Sequence, residues 1–420
     1  VVNDTVNVVY VIPKGPSDKA GLQIGDKILK ANDSSLTARP LSNDEIKNLI
    51  RGERNSKVIL EILRGKQLQT IPVTRGTIPV PSVDAAYMID KMTGYIKLNK
   101  FGETTYEEFM QSMEQLQREG LQQLILDLRG NGGGFMNEAV DIADEFLDND
   151  KLIVYTDGVN SPKREYRCKR DGLFEKGKLT VLVDELSASA SEVLSGALQD
   201  WDRATIIGRR TFGKGLVQEQ YDLSDGSAIR LTVARYYTPL GRSIQRSYEK
   251  GKKVYMDELW DRYSNGELLS ADSNKISNGK QFKTKNGRIV YGGGGIMPDI
   301  FVPIDTSSYP KNINRLLING NFSGYVYSYY LQHKQVLDSY KTSDDYTHQF
   351  NKTNEMWDGL VNFALKDSIN LSNVTPEEKE SLGTRLKAYL ARFKWRNNGF
   401  YQVMNHDDEV IKKALEELAK

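Results

Sequence analysis

Apolar runs alternate with amphipathic stretches along the middle of the chain, and this pattern predicts strands and helices in turn. Four runs have the length and composition of buried strands: Gly94–Asn99, Leu124–Leu128, Leu179–Val183 and Ala204–Ile207. A helical period lies between the first two, at Thr105–Arg118, where the apolar positions share one face. Alternating strands and helices are typical of a covered, mostly parallel sheet. We therefore predict an α/β core.

The flanking regions have different patterns. Residues 1–74 contain short β-type runs separated by glycine turns, which predicts a small β-rich module. The core is predicted to extend over residues 75–305, with an exposed polar insertion at about 249–289. Helical stripes take over afterwards, so residues 306–420 are predicted to form a helical domain.

Composition narrows the class of protein. A chain of 420 residues fits two to four domains, and its 57 basic and 56 acidic residues give no argument for nucleic acid or a membrane surface. No apolar run approaches the ~20 residues of a membrane span. The single cysteine, Cys168, excludes an intramolecular disulfide. The sequence opens with Val1 and has no signal peptide, so we expect a processed or trimmed chain.

A serine and a lysine occupy positions that suggest chemistry. Ser189 lies where a predicted strand gives way to a helix, and Lys214, between Gly213 and Gly215, follows the next strand. The ends of neighbouring parallel strands lie close together, so the two side chains are expected to meet. A lysine can take a serine's proton when burial disfavours its charged form. The amide of Gln218 could hold that lysine by a hydrogen bond.

Two other interpretations use the same residues. The segment 208–215 is one residue away from a phosphate-binding P-loop, but Gly215 replaces the Ser or Thr that would bind magnesium. A P-loop also opens a helix, whereas strand-like residues follow here. The simpler alternative is that Ser187, Ser189 and Ser191 only cap a helix, which is common for serine.

Histidine chemistry has little support. The three histidines, His333, His348 and His406, all lie in the C-terminal quarter of the chain. A Ser-His-Asp triad would need one of them beside Ser189, and none is near it in sequence. Their spacing matches no zinc signature.

A glycine-rich loop, residues 129–134, follows one of the buried strands and precedes a predicted helix. As a dinucleotide fingerprint it fails, because Phe135 occupies the third glycine position. Backbone N–H groups without side chains are suited to an anion. Acyl transfer needs such donors for the oxyanion of its tetrahedral intermediate. A tight turn that serves packing alone is the other interpretation.

The segments SASASEVLSGALQD, RRTFGKGLVQ, YYTPLGRSIQ and GGGGIMPDIFVP together resemble the carboxy-terminal processing peptidases, also called tail-specific proteases. These are serine/lysine peptidases with a PDZ domain, and the resemblance covers roughly residues 1–305. It implies that Ser189 is the nucleophile, Lys214 the general base and Gln218 the residue that positions the lysine. It also implies an oxyanion hole made by N–H groups of Gly133 or Gly134 and of Ala190.

The resemblance further implies a core like that of the Clp protease and crotonase enzymes, and a PDZ-like fold for residues 1–74. PDZ domains bind peptide ends by adding a strand to a sheet edge. The carboxylate-binding loop of such domains precedes the first strand, and this sequence begins at about that point, so the domain is expected to lack its first loop.

The function implied is a serine endopeptidase that cleaves protein substrates near their C-termini, with PDZ-mediated recognition or regulation. The resemblance implies neither metal nor cofactor, no nucleic acid, protein or peptide substrates bound through C-terminal tails, and a location on the periplasmic side of a bacterial cell envelope. A homo-oligomer formed through the C-terminal helices is a further expectation. The alternative is a catalytically idle PDZ scaffold that binds peptides, since folds can lose activity.

Overall fold

The chain forms two compact units in the computed structural model. One consists of Val1–Val80 with Tyr309–Val403, and the other of Pro81–Ser308 with Met404–Lys420. The residues that the structure describes are 5–37, 41–249, 251–270, 279–304 and 311–420. None of the helices in these ranges is long and apolar enough to span a bilayer.

The first unit joins a small sheet to a set of helices. Its strands are β1 (Val6–Asn7), β2 (Lys27–Ala31), β3 (Ser34–Ser35), β4 (Lys57–Arg64) and β5 (Gln67–Thr74), paired in the order β1-β2-β4-β5 with β3 on β2. Its helices are α1 (Pro16–Lys19), α2 (Asn43–Ile50), α7 (Lys311–Ile318), α8 (Asn321–Gln332), α9 (Lys334–Asp338), α10 (Ser343–Gln349), α11 (Thr353–Leu365) and most of α12 (Pro376–His406).

Alternation explains why this sheet has one buried face. Val58, Leu60 and Ile62 of β4 are buried while their neighbours point outward, as a two-residue period requires. Helix α2 begins at a capping box, in which Ser42 and Glu45 bond to each other's main-chain N–H groups. The prediction of a β-rich N-terminal module and a helical C-terminal region is confirmed.

A six-stranded sheet forms the centre of the second unit, in the order β17-β12-β11-β8-β7-β6. All neighbours are parallel except the edge pair of β6 and β7. Its strands are β6 (Val83–Met88), β7 (Thr93–Leu98), β8 (Gln123–Asp127), β11 (Lys178–Val183), β12 (Thr205–Gly208) and β17 (Ile300–Phe301). The predicted mostly parallel sheet is therefore confirmed.

Helices cover this sheet because its strands are apolar on both faces. Every residue of β7 is buried, and Val181 of β11 lies between Leu126 and Ile206 on the neighbouring strands. Such continuous apolar strands are stable only between two packed layers. The helices of this unit are α3 (Thr105–Arg118), α4 (Met136–Asp144), α5 (Ala190–Asp200), α6 (Gly251–Ser264) and α13 (Glu409–Leu418).

A second, antiparallel sheet has the order β10-β9-β14-β13 and carries part of the candidate site. Its strands are β9 (Leu152–Gly158), β10 (Ser161–Arg167), β13 (Leu216–Asp222) and β14 (Ala228–Tyr237), and a separate hairpin joins β15 (Gln281–Lys283) to β16 (Ile289–Tyr291). Because β13 directly follows the loop at 208–215, that loop opens a strand. A P-loop would open a helix, so the structure agrees with rejecting the nucleotide interpretation.

The predicted insertion at 249–289 is mostly exposed where it is described, as its polar sequence indicated. It contains α6, and Arg262 of that helix is only 1% exposed. The Arg262 guanidinium donates to Glu267 Oε1 at 2.8 Å and to the Thr211 carbonyl at 3.1 Å. Glu267 and Arg262 thus attach an otherwise largely exposed segment to the loop at Arg210 and Thr211. Residues 250 and 271–278 lie outside the described ranges.

Candidate active site

Ser189 lies in the turn between β11 and α5, with a strained backbone. Its φ is +57° and its ψ is −113°, a region that residues other than glycine rarely adopt. Strain of this kind costs about 1–3 kcal/mol and persists only where the surroundings enforce it. The turn therefore holds Ser189 in a fixed orientation at the carboxyl end of a central strand.

The serines on either side of Ser189 connect this turn to the glycine-rich loop. Ser187 Oγ donates to the Leu128 carbonyl and Ser191 Oγ to the Asn131 carbonyl, both at 2.9 Å. The Ala188 N–H also donates to the Asn131 carbonyl, at 3.0 Å. These side chains bond across to the neighbouring strand's loop, so a role limited to helix capping does not describe them.

Glycine is required in that loop because other main-chain atoms approach it closely. A Cβ atom on Gly133 would lie 2.5 Å from the Ala188 carbonyl oxygen and 2.8 Å from Ser189 Cβ. One on Gly134 would lie 2.0 Å from the Phe101 carbonyl oxygen. Both glycines also have positive φ. The loop is thus packed directly against the turn that carries Ser189.

The three predicted oxyanion donors are not equivalent. The Gly133 N–H already donates to Asn131 Oδ1 at 2.9 Å. Within the described residues, neither the Gly134 N–H nor the Ala190 N–H makes a hydrogen bond. Unpaired donors beside a serine hydroxyl are the arrangement that oxyanion stabilisation needs. Of the three, Gly134 and Ala190 therefore have N–H groups available for a ligand.

Lys214 lies in a tight loop between β12 and β13. Gly213 has a φ of +86°, and a Cβ atom there would lie 2.3 Å from Arg246 Cγ. A Cβ on Gly215 would lie 2.9 Å from the Gln245 main-chain nitrogen. The Lys214 side chain is half-buried, and no carboxylate among the described residues forms an ion pair with its amine.

Glu192, which the sequence interpretation missed, joins the serine turn to the lysine loop. Its Oε2 accepts hydrogen bonds from the Ser189 N–H at 2.8 Å and the Lys214 N–H at 2.9 Å. Its Oε1 accepts from the Gly213 N–H at 2.7 Å and from Thr211 Oγ1 at 2.5 Å. Burial raises the pKa of this carboxyl group, although the four hydrogen bonds oppose that shift. The S-x-x-E spacing from Ser189 was the available signal.

Tyr236 of β14 is a second residue that sequence reasoning did not single out. Its hydroxyl donates to the Lys214 carbonyl oxygen, and Tyr236 lines the same cavity as Ser189. Burial, and then the charge of Glu192, raise the Tyr236 pKa well above its usual value of 10.0. The phenol therefore stays protonated at ordinary pH and can act as a fixed donor and acceptor between the serine and the lysine loop.

One cavity of about 740 Å³ brings these residues together. It is lined by Phe101, Gly132, Gly133, Gly134, Phe135, Met136, Ser189, Ala190, Val193, Lys214, Leu216, Val217, Gln218, Gln220, Arg230 and Tyr236. All six residues predicted from the sequence are in this lining. No histidine is among these described lining residues.

Gln218 is placed in the cavity wall, but its predicted hydrogen bond is not formed here. Among the described residues, no hydrogen bond joins the Gln218 amide to the Lys214 amine. The role of Gln218 stays a prediction. The described part of the chain also contains no group of three or more His, Cys, Asp or Glu side chains arranged to hold a metal ion.

Three regions of the chain match described protein families. Residues 92–251 match peptidase family S41, residues 8–64 match the PDZ domain, and residues 312–397 match a family of unknown function, DUF8443. The S41 match contains Ser189, Lys214 and the glycine-rich loop. The PDZ match contains β2, β3 and β4 of the antiparallel sheet in the first unit.

The relatives that this chain matches include proteases. A probable CtpA-like serine protease of Staphylococcus epidermidis is 36% identical over 244 residues, which are 58% of this chain and 49% of that protein. A carboxyl-terminal-processing protease of a Synechocystis strain is 40% identical over 247 residues, 57% of each chain. The chain thus spans about half the length of the curated relatives it matches.

Among solved structures, the photosystem II D1 C-terminal processing protease is 32% identical over 58% of this chain and 66% of its own, with a TM-score of 0.36. Sequence similarity therefore carries the assignment. The resemblance predicted from the motifs is confirmed: this chain contains a domain of peptidase family S41 together with a PDZ domain.

Proposed function

We propose that this chain is a serine endopeptidase that cleaves protein or peptide substrates near their C-termini. The observation that carries the proposal is the single cavity lined by Ser189, Lys214 and the unpaired N–H groups of Gly134 and Ala190. A nucleophile, a base and oxyanion donors around one space are what acyl transfer requires. The S41 match and the protease relatives support the same reaction class.

In the proposed first step, Ser189 Oγ attacks the scissile carbonyl carbon while its proton passes to the neutral amine of Lys214. The developing oxyanion is held by the N–H groups of Gly134 and Ala190. Collapse of the tetrahedral intermediate breaks the C–N bond, and Lys214 returns the proton to the leaving amine. An acyl-enzyme on Ser189 remains.

Water completes the cycle. Lys214 takes a proton from a water molecule, which attacks the acyl-enzyme carbonyl and forms a second tetrahedral intermediate. The C–O bond to Ser189 then breaks, and the proton returns to the serine oxygen. Gln218 is proposed to orient the Lys214 amine once substrate occupies the cavity, since catalytic hydrogen bonds often tighten only in that complex.

The proposal also covers the role of the PDZ domain, the cellular location and the oligomeric state. The PDZ domain is proposed to recognise substrate tails or regulate the site, as PDZ domains bind peptide ends. A location on the periplasmic side of a bacterial envelope and a homo-oligomer formed through the C-terminal helices are also proposed. Cell fractionation and light scattering of the purified chain test these two points.

The test of the reaction is incubation of the full chain with an unstructured polypeptide and identification of fragments by mass spectrometry. Ser189→Ala and Lys214→Ala are each expected to abolish cleavage. Ser112→Ala and Lys176→Ala, which lie outside the cavity lining, are matched controls and should cleave normally. Cleavage that survives either catalytic substitution rejects the assignment. Peptide binding without any Ser189-dependent cleavage would favour the idle PDZ scaffold.

A further inference from the structure

The ribbon formed by β13 and β14 extends the candidate active site along one direction. Gln218 faces Thr232 and Gln220 faces Arg230 in its register. The cavity that contains Ser189 is lined by Gln218, Gln220 and Arg230, so it continues along this ribbon. Strand β13 is the edge of its sheet, and among the described residues no strand pairs with its side away from β14. An extended peptide is the natural ligand of such an edge.

The charge along this cavity has one sign. Lys214 and Arg230 are the charged residues in the described lining, and neither Asp nor Glu occurs in it. The Arg230 guanidinium donates through Nη2 to Gln220 Oε1 at 3.2 Å, and both side chains belong to the cavity wall. This one bond uses a single donor of the five that a guanidinium carries. The remaining donors can form a fork for a carboxylate.

The spacing of residues along β14 gives an estimate of the distance from Arg230 to the nucleophile. Arg230 and Tyr236 both line the cavity and lie six residues apart on β14, whose ladder with β13 has a register shift between them. At about 3.3 Å per residue, their Cα atoms are separated by roughly 20 Å. Tyr236 and Ser189 line the same cavity, so the Arg230 end lies at about that distance from the nucleophile. After allowing for the reach of the arginine side chain, an extended peptide covers the interval with about four to six residues.

We propose that Arg230, steadied by Gln220, is a binding subsite for a carboxylate of the substrate, about four to six residues from the scissile bond. The proposal rests on the proposed peptidase function and adds a substrate preference to it. The carboxylate is either the α-carboxylate of the substrate's last residue or an Asp or Glu side chain at the same spacing. Guanidinium recognises both by the same pair of parallel hydrogen bonds.

The test uses one peptide of known cleavage site in four groups of variants. An aspartate is moved through each position up to eight residues from the scissile bond, with asparagine in the matched peptides. In two further series, the peptide ends at each of these positions from the scissile bond. One series ends in a free α-carboxylate and the other in an amide. We expect kcat/KM to rise about tenfold for a carboxylate at four to six residues. The aspartate arm and the free-acid arm distinguish the two sources of the carboxylate.

Two variants assign that preference to its residue. Arg230→Gln should remove the roughly tenfold preference, so that acid peptides and their asparagine or amide counterparts are cleaved with equal kcat/KM. Arg230→Glu should shift the preference to lysine at the same spacing, which a merely structural role would not do. Arg235→Gln is the matched control, since this exposed arginine on the same strand is not in the cavity lining.

Binding to the Ser189→Ala chain keeps the inference separate from catalysis. Fluorescence anisotropy with the same peptides should give the same carboxylate preference, again lost when Arg230→Gln is added. Equal affinity for acid and amide peptides, or equal losses with Arg230→Gln and Arg235→Gln, would overturn the subsite. Ser189-independent cleavage would overturn the proposed function, and the binding result would still decide the subsite.

Discussion

Ser189 and Lys214 donate their main-chain N–H groups to the same atom, Oε2 of Glu192, at 2.8 and 2.9 Å. The two residues are 25 positions apart in the sequence. A buried carboxylate thus fixes the backbone of the proposed nucleophile relative to that of the proposed base. Neither bond involves a reacting atom, so Glu192 is a positioning residue.

Replacing this carboxylate should impair the reaction more than the fold. In Glu192→Gln one acceptor oxygen becomes an NH₂ group that faces main-chain donors, which moves Ser189 and Lys214 apart. Misplacement by about 1 Å costs about 10²-fold in rate, so kcat should fall by about that factor with little change in KM. The matched control is Glu138→Gln on α4, a carboxylate away from the cavity lining. Normal turnover by Glu192→Gln would refute the positioning role.

The same substitution has a signature in the pH dependence of stability. Burial raises the pKa of Glu192 above its usual value of 4.5. The unfolded chain therefore releases this proton at a lower pH than the folded chain, so Glu192 lowers stability as the pH rises above about 4.5. Glu192→Gln lacks this component, and its melting temperature should depend less on pH over that window. Calorimetry of both proteins across the pH series measures the difference.

Removing the Tyr236 hydroxyl should slow the reaction without altering its pH profile. Tyr236→Phe loses the bond to the Lys214 carbonyl in the wall of the Ser189 cavity, and we expect kcat to fall about tenfold. The Tyr236 pKa is well above 10.0, so this group does not titrate in the assay range. Tyr237→Phe is the control, since Tyr237 stacks on Tyr155 and is absent from the cavity lining. Equal losses in both variants would assign Tyr236 a packing role only.

The elements around the site could be predicted because apolar runs determine them locally. The predicted strand Leu179–Val183 and the helix after it correspond to β11 and α5. The residue that lines up the two loops, Glu192, could not be found this way. Its partners Thr211 and Gly213 come from a different strand-to-loop connection, and only the packed sheet brings them to it.

The sequence pattern also failed to give the length of the first strand, β1. The sequence predicts a strand over Val6–Ile12, but β1 covers only Val6–Asn7. Its partner β2 begins at Lys27, directly after the turn at Gly25, so regular pairing ends soon after it starts. The extent of a strand depends on its neighbour as well as on its own residues.

Gly133 offers a test that separates backbone strain from obstruction of the site. Alanine at Gly133 or at Gly130 must adopt positive φ, +91° and +70°, which destabilises each variant by about 1 kcal/mol. Only at Gly133 does the added Cβ meet the Ser189 turn, whereas nothing lies within 4 Å of it at Gly130. Gly133→Ala should therefore lose activity and labelling by a fluorophosphonate probe, while Gly130→Ala retains both. Similar activity in the two variants would show that loop shape is unimportant.

A buried ion cluster beneath the glycine-rich loop should control stability in acid. Asp127 pairs with Arg129 at 2.7 Å and with Lys97 at 3.2 Å, and Arg129 also pairs with Asp408 at 2.7 Å. Burial raises the Asp127 pKa, but the two cations outweigh that effect and hold it below its usual value of 3.8. Its contribution to stability is therefore present above about pH 3.8 and is lost as the pH falls further.

Asp127→Asn leaves buried Lys97 without a carboxylate partner and Arg129 with Asp408 alone, and it should cost about 3–5 kcal/mol. Asp408→Asn breaks a partly exposed pair and should cost about 1 kcal/mol or less. The acid-induced loss of stability should be weaker in Asp127→Asn, because the titrating group is gone. Denaturant unfolding followed by circular dichroism at pH 7 and at pH 3 measures both effects. Equal costs for the two substitutions, or an unchanged acid dependence in Asp127→Asn, would contradict the view that Asp127 is the anion that balances this cluster.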